Sequence, residues 1–155
     1  MRLVLLSMKN DAQRKYLWCR EALCRSEVAL GLKSDMSVYL DFLPRRRFVH
    51  AAGGTTQLAI VTGPPPKITI NSGSWHNRRK IGIQHNFVHE IGHIVIRYGD
   101  PRWLEALALA CPEASKKART WLNRWAKGVY KSDQRPHELL CETFAEALYL
   151  PHAKR

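Results

Sequence analysis

The spacing of apolar residues predicts a long first helix after a short N-terminal segment. The apolar run from Arg2 to Met8 fits a short strand or the lead into a helix. Asp11 is placed to cap a helix that runs from Ala12 towards Leu30. Gly31 follows directly and is the residue type that most readily ends a helix.

The middle of the chain changes to a period of two, which indicates strands. From Met36 to Leu43 apolar Val38, Leu40 and Phe42 alternate with polar neighbours. Further β-type segments with turn residues between them predict a hairpin and one more strand, giving a small sheet of three or four strands. These segments are Arg47–Ala51 and Thr56–Thr62 around a turn at 52–55, then Lys67–Asn71 after the rigid break Gly63–Pro66.

Helical patterns return after a polar, basic loop from Ser72 to Lys80. Glycine and proline separate the helices and predict where each one stops. The predicted helices run from Gly82 or Gln84 to Tyr98 before Gly99, from Arg102 to Ala110 after Asp100-Pro101, from Glu113 to Lys127 before Gly128, and from His137 to Leu150 between Pro136 and Pro151. With no internal repeat, the pattern predicts a single α+β domain over residues 1–155.

The first of these later helices reads FVHEIGHIVIRYGDP from Phe87 onwards and carries three ionisable residues in an apolar setting. His89 and His93 are four apart, about 6 Å along a helix and within about 40° around it, so both imidazoles face one way. Glu90 lies about 100° further round. Burying these groups is costly unless a metal pairs with them. The HExxH spacing predicts Zn²⁺ on the two histidines, with Glu90 as the general base for water.

A catalytic zinc needs a third protein ligand, and the last helix offers three candidates on one face. Glu138, Glu142 and Glu146 are each four residues apart, and spacing alone does not choose among them. His85 is in register with His89, but it lies about 12 Å along the axis from His93, too far to share one ion with it.

Two segments together carry a resemblance to a known family. HEIGH and the later ELLCETFAEALYLP resemble the ImmA/IrrE family of HExxH zinc metallopeptidases, which are gluzincin-like. The resemblance implies a zincin-like fold: an N-terminal helix and small sheet, the HExxH helix, and a helical C-terminal part carrying the third ligand. It places Glu138 at the third ligand. Glu142 stands where the family has Asn or Asp, which suits a residue that orients a ligating histidine. By the same resemblance, Lys67–Asn71 would be an edge strand that pairs with substrate.

The activity implied is that of a cytoplasmic zinc endopeptidase acting on a separate regulatory protein, such as a repressor, in a bacterial or phage setting. An oxyanion donor is still required for peptide hydrolysis. Tyr98, Tyr130, Tyr149 and His137 are candidates for that role or for substrate contact, and nothing in the sequence selects one.

The charge of the chain supports an alternative function. With 25 Lys and Arg against 13 Asp and Glu, the net charge is +12, which favours acidic partners. A basic module that binds nucleic acid or an acidic protein, with a structural or inactive zinc site, is the alternative. The basic clusters form no recognised nucleic-acid motif, so a solvated basic surface is the simpler expectation. Arg45–Arg47, Arg78–Lys80, Lys116–Arg119 and Lys154-Arg155 make up these clusters.

Other features narrow the compartment and the reaction. No apolar run approaches the roughly 20 residues of a membrane span, and the start of the chain lacks a cleavage site typical of signal peptides. Four scattered cysteines without a CxxC pair indicate free thiols in the cytoplasm. A zinc hydrolase acting on other acyl groups stays open. Peptide deformylase is disfavoured, because its cysteine ligand has no counterpart in Cys19 or Cys24. Trp121 and Trp125 are four residues apart on one predicted helix, which predicts core packing, and a lid or partner-docking element is the alternative.

Overall fold

The chain folds into helices and one small sheet, and this confirms the α+β class. The computed structural model describes residues 1–53 and 57–153, and the side chains of all of these except residues 10 and 150–153. The strands are β1 (Arg2–Leu5), β2 (Ser37–Leu43), β3 (Ala59–Thr62) and β4 (Lys67–Asn71). The helices are α1 (Asn10–Leu30), α2 (Arg45–Ala51), α3 (Lys80–Tyr98), α4 (Arg102–Ala110), α5 (Pro112–Trp121) and α6 (Arg135–Ala153), with a 3₁₀ turn at Trp75–Arg78 and a π-helical turn at Leu122–Ala126.

Contacts along the chain divide it into two compact units, Met1–Glu90 and Ile91–Arg155. The first contains the sheet, α1, α2 and the beginning of α3, and the second contains the rest of α3 with α4 to α6. That residues 1–155 form one domain stays a prediction. Each unit is described below by itself.

The sheet of the first unit has the strand order β1-β2-β4-β3. β1 and β4 both run parallel to β2, whereas β3 runs antiparallel to β4. The alternation predicted for β2 is confirmed, since Val38, Leu40 and Phe42 are buried between half-buried neighbours. Ile68 and Ile70 of β4 are fully buried as well. A β-branched, apolar strand buried in this way suits the middle of a sheet better than its margin.

The prediction that Lys67–Asn71 is an edge strand is therefore wrong. β4 pairs with β2 through the register Leu40↔Ile68 and with β3 through Val61↔Ile68, so both of its sides are occupied. The outer strands of the described sheet are β1 and β3.

The predicted hairpin is also wrong in its first strand. Arg47–Ala51 forms most of helix α2, because Pro44 precedes the helix in an extended conformation and the Phe48 amide donates to the Pro44 carbonyl at 2.9 Å. Burial of the Phe48 side chain holds this short helix in place. The hairpin that does form joins β3 to β4 through Gly63–Pro66. Residues 54–56 of the predicted hairpin lie outside the described part of the chain.

Helix α1 ends as predicted and starts differently. Gly31 takes the left-handed conformation, with φ of 61°, and its amide donates back to the helix. Lys9 occupies the N-cap position, so the prediction that Asp11 caps the helix is wrong. The Asp11 carboxylate instead lies in the first turn, 2.8 Å from Lys15 Nζ and 2.6 Å from the guanidinium of Arg14.

The first half of α3 is fixed within the first unit. Gln84 Nε2 donates to the Trp18 carbonyl of α1 at 3.1 Å, and Lys80 Nζ lies 2.6 Å from Glu21 of the same helix. Ile83 and Phe87 are fully buried.

The described residues of the second unit form helices joined by turns and loops, the longest of them at residues 127–134. The helix predicted from Glu113 to Lys127 is interrupted, because α5 passes into the π-helical turn at Leu122. Trp125 in that turn is 74% exposed, so core packing of this residue is not observed. Helix α6 continues through Pro151 to Ala153, so the prediction that Pro151 ends the helix is wrong.

Among the described residues, none of the helices combines the length and apolar character needed to cross a lipid bilayer.

Candidate metal centre

Helix α3 carries the two histidines of the HExxH motif on a buried stretch of backbone. The residues that flank them, Val88, Ile91 and Ile94, are at most 1% exposed. His89 is buried too, and the His93 side chain is 22% exposed. One of the two imidazoles is thus enclosed by the protein, while the other reaches partly into solvent.

The buried carboxylate of Glu138 completes a group of three possible metal ligands. His89, His93 and Glu138 each offer one ligand atom, and these atoms all lie within 4.8 Å of one another. His93 Nε2 and Glu138 Oε1 are 3.1 Å apart. For comparison, two ligand atoms at about 2.1 Å from a tetrahedral zinc are about 3.4 Å from each other. The donor set and its spacing therefore fit a divalent ion such as zinc.

Gly92 explains how α6 comes close enough to α3 for this contact. A Cβ atom built on Gly92 would lie 2.9 Å from Cys141 Sγ and 3.1 Å from Cys141 Cα, closer than ordinary van der Waals contact. Gly92 adjoins His93, and Cys141 follows Glu138 by one helical turn. Only glycine permits this crossing without displacement, and the crossing brings the His93 and Glu138 side chains within reach of each other.

Glu90 is 7% exposed and follows His89 directly on α3. It is not a member of the ligand group with His89, His93 and Glu138. Its carboxylate is thus buried close in sequence to the possible metal ligands, and its role as a general base stays a prediction.

A second group meets the same distance criterion and contains His85, Glu142 and Glu146. Lys117 Nζ lies 3.0 Å from Glu146 Oε2, so a positive charge already neutralises part of this group. The structure thus places His85 with different acids from those near His93. The role given to Glu142, orienting a ligating histidine, stays a prediction.

The side chains considered as oxyanion donors lie in different environments. Tyr98 is 37% exposed and the Arg97 guanidinium lies 5.2 Å from its ring centre, whereas His137 is exposed on α6. Tyr149 is buried and Tyr130 is half-buried. Which of these side chains would act as the oxyanion donor stays an open prediction.

A groove of about 650 Å³ in the second unit contains none of the predicted site residues. Its lining combines apolar residues of α6 with the basic side chains Lys116 and Arg119 of α5. Thr143 also lines it, and its hydroxyl is buried without a hydrogen-bond partner among the described residues.

Sequence reasoning missed two features of this centre. The close approach of Cys141 to Gly92 could have been suspected, because glycine in an otherwise apolar helix often marks a close neighbour. The ion pair between Lys117 and Glu146 joins α5 to α6, and no pattern in the sequence relates residues so far apart.

In comparisons with known proteins, no family model, no curated protein and no solved structure matches this chain.

Proposed function

We propose that the chain is a zinc metallopeptidase with a zincin-like fold, in which His89, His93 and Glu138 hold the metal. The observation that carries the proposal is the convergence of these three ligand atoms, two from the HExxH motif and one from α6. The order of elements supports it, since the sheet precedes α3 and the third ligand comes from a later helix.

The donor set favours zinc over the other common divalent ions. Two imidazole nitrogens and one carboxylate form the set found in catalytic zinc sites, whereas calcium and magnesium prefer oxygen ligands throughout. Three protein ligands leave a fourth position open for water or substrate. A zinc ion held in this way makes water reactive near neutral pH and polarises a carbonyl group.

Glu90 supplies the proton chemistry in this proposal. Its carboxylate accepts a proton from the attacking water and donates it to the amine that leaves when the peptide bond breaks. Glu90 is 7% exposed and the apolar residues Val88 and Ile91 beside it are fully buried, which shields the carboxylate from bulk water.

The substrate we propose is an extended segment of a separate regulatory protein, in a cytoplasmic bacterial or phage setting, as the family resemblance implies. β3 rather than β4 is the strand that could pair with such a segment, because it is an outer strand of the described sheet. Backbone pairing would bind a peptide largely independently of its side chains.

The decisive experiment replaces Glu90 with Gln, which keeps the shape of the side chain and removes the base. Purified protein is incubated with a mixed peptide library, and the products are identified by mass spectrometry. The Glu90→Gln variant should retain one zinc per chain and cleave at least about 100-fold more slowly. Unchanged cleavage by a zinc-loaded variant would show that the proposed mechanism is wrong.

Metal removal provides the complementary test. Dialysis against a chelator should abolish cleavage by the original protein, and stoichiometric zinc should restore it. Magnesium at the same concentration should not restore it, because the ligand nitrogens of His89 and His93 suit zinc and not magnesium.

A further inference from the structure

The first unit has a long stretch without any acidic residue. From Phe42 to His89 the chain contains seven Lys and Arg residues and no Asp or Glu. Two of these cations have partners nearby: Lys67 lies 3.7 Å from Asp41, and Lys80 lies 2.6 Å from Glu21. The other five are exposed arginines that form no ion pair within the described residues. They are Arg45, Arg46, Arg47, Arg78 and Arg79.

The sheet topology places these five arginines together at the carboxyl ends of two adjacent strands. Arg45–Arg47 follow the end of β2, and Trp75–Arg79 follow the end of β4. Because β2 and β4 are adjacent and parallel, with Leu43 opposite Asn71, both segments leave the sheet on the same side. The Ser72 amide donates to the Leu43 carbonyl at 2.8 Å, which holds the two segments side by side where they leave the sheet.

Gly73 brings the two segments into direct contact. A Cβ atom on Gly73 would lie 2.7 Å from Arg45 Cβ and 2.8 Å from the Arg45 amide nitrogen, so only glycine fits there without displacement. The arginines of α2 and the residues of the 3₁₀ turn therefore form one surface, defined by Arg45–Arg47 and Trp75–Arg79 and called the basic edge below.

The turn that carries Trp75 is anchored by a buried amide. Asn77 has no solvent exposure, and its Nδ2 donates to the carbonyls of Leu58 and Asn71, each at 2.9 Å. Its Oδ1 accepts from Asn86 of α3 at 2.6 Å. Fixing Asn77 in this way holds the residues on either side of it in a defined position at the surface.

Trp75 is an unusual residue for such an edge, because 62% of it is exposed. The Arg79 guanidinium lies 5.2 Å from the centre of its ring, and the His76 ring packs against it edge-on at 5.4 Å. These contacts orient the indole and leave most of its apolar surface accessible to a partner.

We propose that the basic edge binds single-stranded nucleic acid. The exposed arginines contact successive phosphates, since guanidinium groups pair with phosphate through two parallel hydrogen bonds. A base stacks on Trp75, an interaction open to single strands because their bases are not covered by paired neighbours. An acidic polypeptide would satisfy the arginines but would leave the indole exposed, so nucleic acid fits the basic edge better.

The test measures binding of a short, fluorescently labelled single-stranded DNA of mixed sequence by anisotropy at several salt concentrations. Replacing Arg45, Arg46 and Arg47 together by Ala should weaken binding at least tenfold. It should also flatten the salt dependence by about two units of log–log slope, at about 0.7 per lost phosphate contact. The matched control removes three charges from the second unit, through Lys116→Ala, Arg119→Ala and Arg124→Ala, and should change the slope little. Equal losses in the two triple variants would overturn the proposal.

Two substitutions of Trp75 test separately whether a base stacks on its ring. Trp75→Ala should weaken binding about fivefold or more without altering the salt slope, because no charge is removed. Trp75→Phe keeps an aromatic surface and should retain most of the affinity. If Trp75→Ala binds as the original protein does, stacking is excluded and the proposal fails.

Competition by three unlabelled polyanions distinguishes the possible classes of partner. Unlabelled single-stranded DNA should displace the probe well below the concentration at which duplex DNA or polyglutamate does. Displacement by polyglutamate at an equal concentration of charge would identify an acidic polypeptide as the ligand and would overturn the proposal. Thermal melting checks that every variant is folded, and single Arg→Gln variants replace the triple variant if its melting temperature falls.

Discussion

At the scale of single residues, the choice of the third ligand shows what one sequence can and cannot decide. Glu138, Glu142 and Glu146 have the same spacing, so periodicity leaves the choice open, and the family resemblance and the fold both single out Glu138. The Glu138 carboxylate lies 3.1 Å from His93, whereas the other two lie in a group with His85. The choice depended on which turn of α6 lies next to α3, and helical periodicity does not contain that information.

Removing a ligand should therefore have a different effect from removing its neighbour. His93→Ala and Glu138→Gln should abolish stoichiometric zinc binding, while Glu142→Gln should retain the metal with an affinity reduced by at most about 10–100-fold. Competition against a chromophoric chelator measures these affinities. If Glu142→Gln loses zinc and Glu138→Gln keeps it, the two acids have been assigned the wrong way round.

Gly92 provides a second residue-level prediction, in which two effects oppose each other. Alanine is the better helix former by about 1 kcal/mol. Overpacking against Cys141 costs about 1–3 kcal/mol, because a Cβ atom would lie 2.9 Å from its sulfur. Gly92→Ala should thus lower the free energy of unfolding and weaken zinc binding, as measured by denaturant titration and by the chelator assay.

Gly128→Ala is the matched control, since a Cβ atom there meets nothing within 4 Å. A Gly92→Ala variant as stable as the original protein, with the same zinc affinity, would mean that the helix crossing tolerates a methyl group.

At the scale of elements, the sequence predicted most helices and strands but misjudged those that depend on tertiary contacts. The boundaries of β2 and α4 follow from alternation and from Asp100-Pro101, both of which are local signals. Arg47–Ala51 contains Phe and Val and resembles a strand, yet it is helical because burial of Phe48 requires it. Intrinsic propensity is a weak guide for a segment of this length.

The start of α1 allows a prediction about pH. Hydrogen bonding to Lys15, followed by the charges of Lys15 and Arg14, lowers the pKa of Asp11 below its ordinary range, although desolvation opposes this. Because the folded pKa is depressed, the stabilisation is present above the unfolded pKa and disappears as the pH falls through the folded value. Asp11→Asn should lower stability by about 0.3–0.5 kcal/mol at pH 7 and have little effect near pH 2. Paired thermal melts at the two pH values test this, and a difference that persists in acid would point to another cause.

At the scale of the whole molecule, the order of strands could not have been read from the sequence. β3 follows β2 in the chain but lies beyond β4 in the sheet, so the outer strand was assigned wrongly. The group of possible metal ligands was easier to predict, because two of its members share one helix and their spacing is a local property.

The buried cysteines can report on the helix crossing in the intact protein. Cys24 is exposed and should react quickly with a thiol reagent, while Cys19 and Cys141 are buried. Burial also raises the pKa of the Cys19 thiol, which slows its reaction further. If metal ligation joins α3 to α6, a chelator should speed the labelling of Cys141 several-fold and leave Cys19 unchanged, as peptide mapping by mass spectrometry would show. A chelator that leaves the rate at Cys141 unchanged would argue against that ligation.

The shortness of β3 limits how a substrate could be recognised. Four residues from Ala59 to Thr62 span only about 13 Å, so a substrate paired with β3 would form backbone hydrogen bonds over only a few residues. Such a footprint is too small to single out one protein from a whole proteome by backbone contacts. Selectivity would then have to come from a docking contact remote from the cleaved bond, so the natural target would be cleaved faster than the peptides of a mixed library.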